Sequence, residues 1–240
     1  MESQYKHSMF KLSGEDLLVV PNQYVSELRN MPDEIVSLIQ AIIDNYEGLY
    51  STPSILLEGN FHTRTIQSRL TPRLRHHVPI LRNASQPQPP GKLCSNVLKD
   101  QFTKVKGFDL VHRLVSSIAA RHFVGALLCE DEEWLSTALT YTENTFITII
   151  CLRIFSDSIK PLVSLFIPHA YLVTWALRKA KRIIVPLILE RRSREQSDPN
   201  YTKPEDFLQY MMDVANKFDS QPDKIAHQLL ILTLAAVHTT

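Results

Sequence analysis

The feature that most restricts how this 240-residue chain can fold is its final apolar stretch. From Leu229 the sequence reads Leu-Leu-Ile-Leu-Thr-Leu-Ala-Ala-Val, so a helix made of these residues is apolar on every face. A helix of this kind is stable only where other elements bury it on all sides. We therefore predict a final buried helix over residues 223–240, opened by Asp223 and surrounded by other helices of the chain.

The remaining elements are also expected to be mostly helical. A β-hairpin is predicted over 8–21, because two short apolar runs flank the turn-rich residues 13–16. Residues 22–240 show the apolar spacing of helices and little strand signal, with one proline-rich loop over 84–93. The predicted fold class is mainly α with a small N-terminal β-hairpin, and residues 1–240 are treated as one partial domain.

Two prolines are used to place helices. Pro32 is predicted to open a helix, because proline costs nothing in the first turn of a helix. The apolar face of this helix would contain Ile35, Leu38, Ile39, Ile42 and Ile43. Pro186 lies inside a long helical stretch from Leu172 to Arg194, and we expect it to kink that helix or divide it in two.

Composition excludes several classes of protein. Apolar residues make up 44% of the chain, and 26 basic side chains balance 25 acidic ones, which excludes a disordered tail and argues against a nucleic-acid partner. Cys94, Cys129 and Cys151 are too few and too scattered for a disulfide framework or a CxxC metal site. His62, His76 and His77 also lack ligand spacing, so no metal site is predicted within this chain.

No targeting or membrane-spanning segment is predicted. The first eight residues are polar and lack the apolar region of a signal peptide. The most apolar stretch outside the final helix, from Ile159 to Leu177, is interrupted by Lys160, Pro161 and Pro168. Its uninterrupted apolar run is shorter than the roughly 20 residues that cross a bilayer.

Two segments contain candidate functional residues. In the segment 235–240, Ala-Ala-Val-His-Thr-Thr, small side chains would let a flat ligand approach the backbone, and the hydroxyls could pass protons inward. The alternative is a pair of threonines fraying at a helix end. Residues 59–99 contain no acidic residue, so Arg64 and Arg69 could bind carboxylates or phosphates, or could simply form a solvated basic face.

Four segments, taken in order, resemble the N-terminal half of a cytochrome P450 of the fungal secondary-metabolism branch. Each segment is a weak signal alone, but their order and spacing make the resemblance specific from residue 10 onward. The segments are Lys11–Pro21, Arg64–Pro72, Phe123–Gly125 followed by Leu128–Cys129, and Ala235–Thr240.

The resemblance implies a function for the end of the chain. The final helix corresponds to the long central helix that crosses the distal face of the haem, and the chain is expected to be truncated within it. Thr239 takes the place of the family's oxygen-activating threonine, and Ala235 and Ala236 line the groove beside it. His238 stands where the family more often has a carboxylate, and a histidine can relay protons near neutral pH.

The resemblance also implies haem as the cofactor. Arg64, Gln67 and Arg69 lie on the helix whose side chains hold the haem propionates in the family, although this sequence departs from the usual pair of residues there. Neither the ExxR motif nor the FxxGxxxCxG loop is found in these 240 residues, so no cysteine here matches the family's axial thiolate.

The implied activity is that of a haem-thiolate monooxygenase oxidising an apolar secondary-metabolite intermediate of terpenoid or alkaloid type. Its electrons would come from NADPH–cytochrome P450 reductase, which an acidic surface could dock onto the basic segment. Intact relatives would lie at the endoplasmic reticulum membrane, whereas this chain as given is expected to be cytoplasmic and inactive alone. The alternatives are a non-catalytic truncated relic, a helical interaction protein, and an independent helical small-molecule binder without haem.

Overall fold

A computed structural model describes residues 8–12, 17–32, 34–59, 61–75, 78–79, 107–217 and 219–238. Its strands are β1 (Phe10–Lys11) and β2 (Leu18–Val19). Its helices are α1 (Val25–Arg29), α2 (Leu38–Asn45), α3 (Gly48–Ser51), α4 (Phe61–Thr65), α5 (71–75), α6 (Gly107–Phe123), α7 (Glu132–Arg153), α8 (Lys160–Ser164), α9 (Pro168–Ser197), α10 (Phe207–Val214) and α11 (Pro222–His238). The mainly α fold class with a small N-terminal hairpin is confirmed.

The core is a packed group of four long helices. Helix α11 packs against α6, α7 and α9, and α7 and α9 lie along each other. The buried apolar residues of α11 have almost no exposed surface, namely Ile225, Ala226, Leu229, Leu230, Ile231, Leu234 and Val237. Residues up to His238 therefore form the buried helix that the apolar stretch predicts, and residues 239–240 lie outside the described part of the chain.

The N-terminal hairpin is short and lies at the surface. Phe10 pairs with Val19 and Lys11 pairs with Leu18 in an antiparallel register. The turn residues 13–16 and the predicted loop 84–93 lie outside the described residues.

The structure corrects the predicted helix start at Pro32 and the predicted division at Pro186, whereas the alternative of a kink at Pro186 stays a prediction. Helix α2 begins at Leu38 rather than near Pro32, because the Ser37 side chain accepts a hydrogen bond from the Gln40 backbone at 3.2 Å and caps the helix there. Ile35 is consequently exposed in a turn rather than buried on a helix face. Helix α9 continues through Pro186 without a division, with Ile184 and Ile188 buried on either side of it.

Candidate functional site

Two of the predicted site residues, Ala235 and Ala236, lie on a partly exposed part of helix α11. Leu234 and Val237 are buried, whereas Ala235 and Ala236 between them are partly exposed. Small side chains at a partly open position leave the helix backbone accessible to a flat ligand. The side chain of His238 and the whole of Thr239 lie outside the described part of the chain, so their assigned roles stay predictions.

The predicted carboxylate-binding residues lie on one continuous helical run, 61–75. Its middle section, Ile66–Leu70, is wound as a π-helix, and such local widening is common at functional sites. Gln67 is exposed on this section and Arg69 is half-buried. The proposed role of Gln67 beside the haem rests on the resemblance alone.

Arg64 is already engaged in a structural contact. Its Nη2 lies 3.4 Å from Oδ2 of Asp219, a buried carboxylate just before α11. The buried Lys224 Nζ lies 3.5 Å from the other oxygen of Asp219 and donates a hydrogen bond to the Glu58 backbone oxygen at 3.1 Å. Arg64 therefore helps to fasten α4 to the start of α11, and Arg69 is the freer cation of the two.

Sequence reasoning missed a second arginine beside Arg69. The guanidinium of Arg73 lies 5.3 Å above the ring of Tyr210 on α10. Burial raises the pKa of Tyr210, while the positive charges of Arg73 and Arg69 oppose that shift. Within the part of the chain that the structure describes, neither arginine has a carboxylate within ion-pair distance. Only the contact with α10, distant in sequence, distinguishes Arg73 from other arginines of the basic segment.

Comparison with known proteins identifies the relatives of this chain. A cytochrome P450 monooxygenase of Emericella nidulans is 44% identical over 241 residues, which is 99% of this chain and 45% of the relative. The cytochrome P450 monooxygenase olcJ of Penicillium canescens is 40% identical over 240 residues, with 99% and 45% covered. Ent-kaurene oxidase P450-4 of Gibberella fujikuroi is 30% identical over 240 residues, with 99% and 46% covered.

This chain is a relative of the cytochrome P450 monooxygenases. It spans about half the length of the curated relatives it matches, and the match falls in their N-terminal half. No family model and no solved structure matches the chain. None of the helices in the described ranges is both long enough and apolar enough to span a bilayer.

The described residues fit part of the haem that P450 enzymes bind. Haem has two propionates, and the guanidinium groups of Arg69 and Arg73 are the donors that carboxylates prefer. Ala235 and Ala236 present small, partly exposed side chains on α11. Among the described residues no group of three His, Cys, Asp or Glu side chains is arranged to hold a metal ion, and the buried Cys129 thiol donates to the Ala126 oxygen at 3.3 Å. The chemistry of the two guanidinium groups thus suits propionates, and the small side chains at 235 and 236 suit the face of a ring.

His62 on α4 and His227 on α11 each carry a ring nitrogen that is enclosed in the fold. Nδ1 of His62 and Nε2 of His227 are buried without a hydrogen-bond partner among the described residues. Burial lowers the pKa of His62, although the nearby Gln228 side chain and Gly59 backbone oppose this shift. Burial, together with a smaller effect of the Lys181 charge, lowers the pKa of His227 to about 4, and the nearby Thr52 backbone opposes this shift.

The buried histidines predict acid sensitivity. At pH values between about 6.5 and 4 the unfolded chain protonates His227 and the folded chain does not, so the free energy of unfolding should fall as the pH falls through this window. The loss attributable to His227 is up to about 3 kcal/mol. Urea unfolding of the wild type and His227→Gln at about pH 7 and about pH 4.5 should show a smaller loss in the variant. Equal losses in the two proteins would contradict this role of His227.

Proposed function

We propose that this chain supplies the N-terminal half of a haem-thiolate monooxygenase, ending in the helix on the oxygen-binding face of the haem. The substrate of this enzyme would be an apolar secondary-metabolite intermediate of terpenoid or alkaloid type. The observation that carries the proposal is the similarity to P450 monooxygenases along 99% of the chain. One relative is named as an oxidase of ent-kaurene, which is a terpenoid hydrocarbon, and this supports the apolar substrate class.

The residues of the predicted site have the following proposed tasks. Arg69, together with Arg73, would hold the haem propionates through charge-assisted hydrogen bonds, with Gln67 at the same edge. Ala235 and Ala236 would keep the distal face open, and His238 and Thr239 would hold and pass a proton there. When bound, haem supplies the oxygen activation for substrate oxidation, with electrons delivered by NADPH–cytochrome P450 reductase.

The reading frame beyond the codon of Thr240 tests the proposed function directly. Sequencing the complete transcript should reveal a continuation that encodes an ExxR motif and a cysteine-bearing FxxGxxxCxG loop. A stop codon after Thr240 would contradict monooxygenase activity, because the axial thiolate that drives O–O cleavage would then be missing. That result would favour the non-catalytic relic or helical interaction protein. Exposed apolar side chains such as Leu49, Leu127 and Phe166 would suit an interaction protein.

Haem retention tests the propionate site. In the protein that the complete transcript encodes, Arg69→Met should speed haem transfer to apomyoglobin about tenfold or more, because a hydrogen bond to a charged group contributes about 1.5–3 kcal/mol. Arg178→Met is the matched control, since Arg178 is an exposed arginine on α9. Equal transfer rates in the two variants would contradict the role of Arg69.

A further inference from the structure

The segment between α2 and the 3₁₀ helix Pro53–Glu58 holds two non-glycine residues in the left-handed region of backbone conformation. Glu47 has φ 48° and Thr52 has φ 76°, and they flank the four-residue helix α3. Such backbone is unfavourable for a β-branched residue such as Thr52 and persists only when surrounding contacts hold it. Residues 47–52, which we call the strap, are therefore strained at both ends.

Three polar contacts hold the strap and its approach against α7 and the loop that follows it. The Thr52 hydroxyl and the buried Tyr141 hydroxyl lie 2.5 Å apart. Arg153, the last residue of α7, donates to the Asn45 backbone oxygen at 2.7 Å. Lys160 Nζ lies 2.6 Å from Oε1 of Glu47.

The ion pair with Glu47 is the most enclosed of these contacts. The Glu47 and Lys160 side chains are 11% and 12% exposed, whereas Asp157, the other carboxylate 2.6 Å from Lys160, is 94% exposed. Burial alone would lower the pKa of Lys160, but its hydrogen bonds to Asp157 and Glu47 outweigh burial and raise it. Lys160 is thus a firmly charged group, and Glu47 is its shielded partner.

The strap covers polar groups of two core helices. Beneath it lie Tyr141 of α7 and His227 of α11, whose ring interacts with the Thr52 backbone. The 3₁₀ helix after the strap also meets α11, where the Gln228 amide donates to the Ile55 oxygen at 3.5 Å. Opening of the strap would therefore expose the polar inner face between α7 and α11 without separating the long helices from one another.

We propose that residues 47–52 form a strained strap over α7 and α11 that can open locally. The Glu47–Lys160 ion pair holds the strap closed, and breaking this pair opens it. The strained backbone at Glu47 and Thr52 favours opening of the strap, and the enclosed Glu47–Lys160 ion pair opposes it. This ion pair joins the strap to Lys160, the first residue of α8, and so couples the strap to the start of α8. The opening is a local event, separate from unfolding of the helical core.

Native-state hydrogen exchange of the full chain tests this device. Glu47→Gln should speed exchange of the strap amides about tenfold or more, because the buried Lys160 charge loses its shielded partner, and amides in the middle of α9 should be unaffected. Asp157→Asn is the matched control at the same lysine, and it should change strap exchange by less than about twofold, since exposed pairs contribute little.

A second variant tests the backbone strain at Thr52 independently of the Glu47–Lys160 ion pair. Thr52→Asn keeps a polar side chain near Tyr141 and tolerates left-handed backbone, so strap exchange should slow about threefold. Unchanged exchange rates of the strap amides in Glu47→Gln would overturn the proposal. Equal acceleration of exchange in the strap and in α9 would also overturn it. Faster strap exchange in Thr52→Asn would also overturn it, and this measurement remains decisive if Glu47→Gln does not fold.

Discussion

Replacement of Arg191 by methionine should lower the free energy of unfolding by about 3–5 kcal/mol. Arg191 is buried on α9 and donates two parallel hydrogen bonds to the buried Asp206, at 2.8 Å and 2.6 Å. Asp206 also caps α10, since its Oδ1 accepts the Gln209 backbone N–H at 2.8 Å. The variant would leave the buried Asp206 carboxylate at the start of α10 without its cation. That desolvated charge is the source of the loss of stability.

The same helix offers a matched control one turn away. Arg194 pairs with Glu190, and these side chains are 61% and 53% exposed. Arg194→Met should lower the free energy of unfolding by less than about 1 kcal/mol, because solvent screens an exposed pair. Urea unfolding followed by far-UV circular dichroism measures both variants. Similar losses in the two would contradict the view that burial of the Arg191–Asp206 pair makes it important.

Local sequence patterns predicted those elements that depend on nearby residues. The final helix was predicted because its apolar faces are set by the consecutive residues from Leu229 to Val237. The predicted start of α2 is wrong, because a proline suits the first turn of a helix but does not have to begin one. In the structure Ser37 caps the helix, five residues after Pro32. The outcome depends on a hydrogen bond whose formation the residue types alone do not determine.

Contacts between distant segments could not be predicted in this way. Arg73 is one arginine among several in a basic segment, and only the approach of α10 places it over Tyr210. Arg64 was assigned to a cofactor, whereas the structure pairs it with Asp219, which is far away in sequence. The family resemblance points to the helical run 61–75, and a cofactor role for its arginines stays a prediction, because their contacts depend on tertiary packing.

Gly125→Ala is expected to destabilise the protein by about 2 kcal/mol or more, from left-handed backbone and a steric clash together. Gly125 has φ 83°, and a Cβ built there would lie 2.5 Å from Oδ2 of Asp206. The Asp206 carboxylate cannot retreat easily, because Arg191 holds it on the other side. Gly125 belongs to a segment that carries the P450 resemblance, and this close approach gives a physical reason for a glycine there.

Gly107→Ala is the control, since a Cβ at Gly107 meets nothing within 4 Å at the first residue of α6. It should leave stability unchanged or raise it by up to about 1 kcal/mol, because alanine favours helix. Gly125 and Arg191 contact the same carboxylate, so their effects should not add. In the Arg191→Met background Asp206 is free to move, and Gly125→Ala should then cost less. Additive losses in urea unfolding would mean that the strain at Gly125 lies in its backbone conformation alone and not in the contact with Asp206.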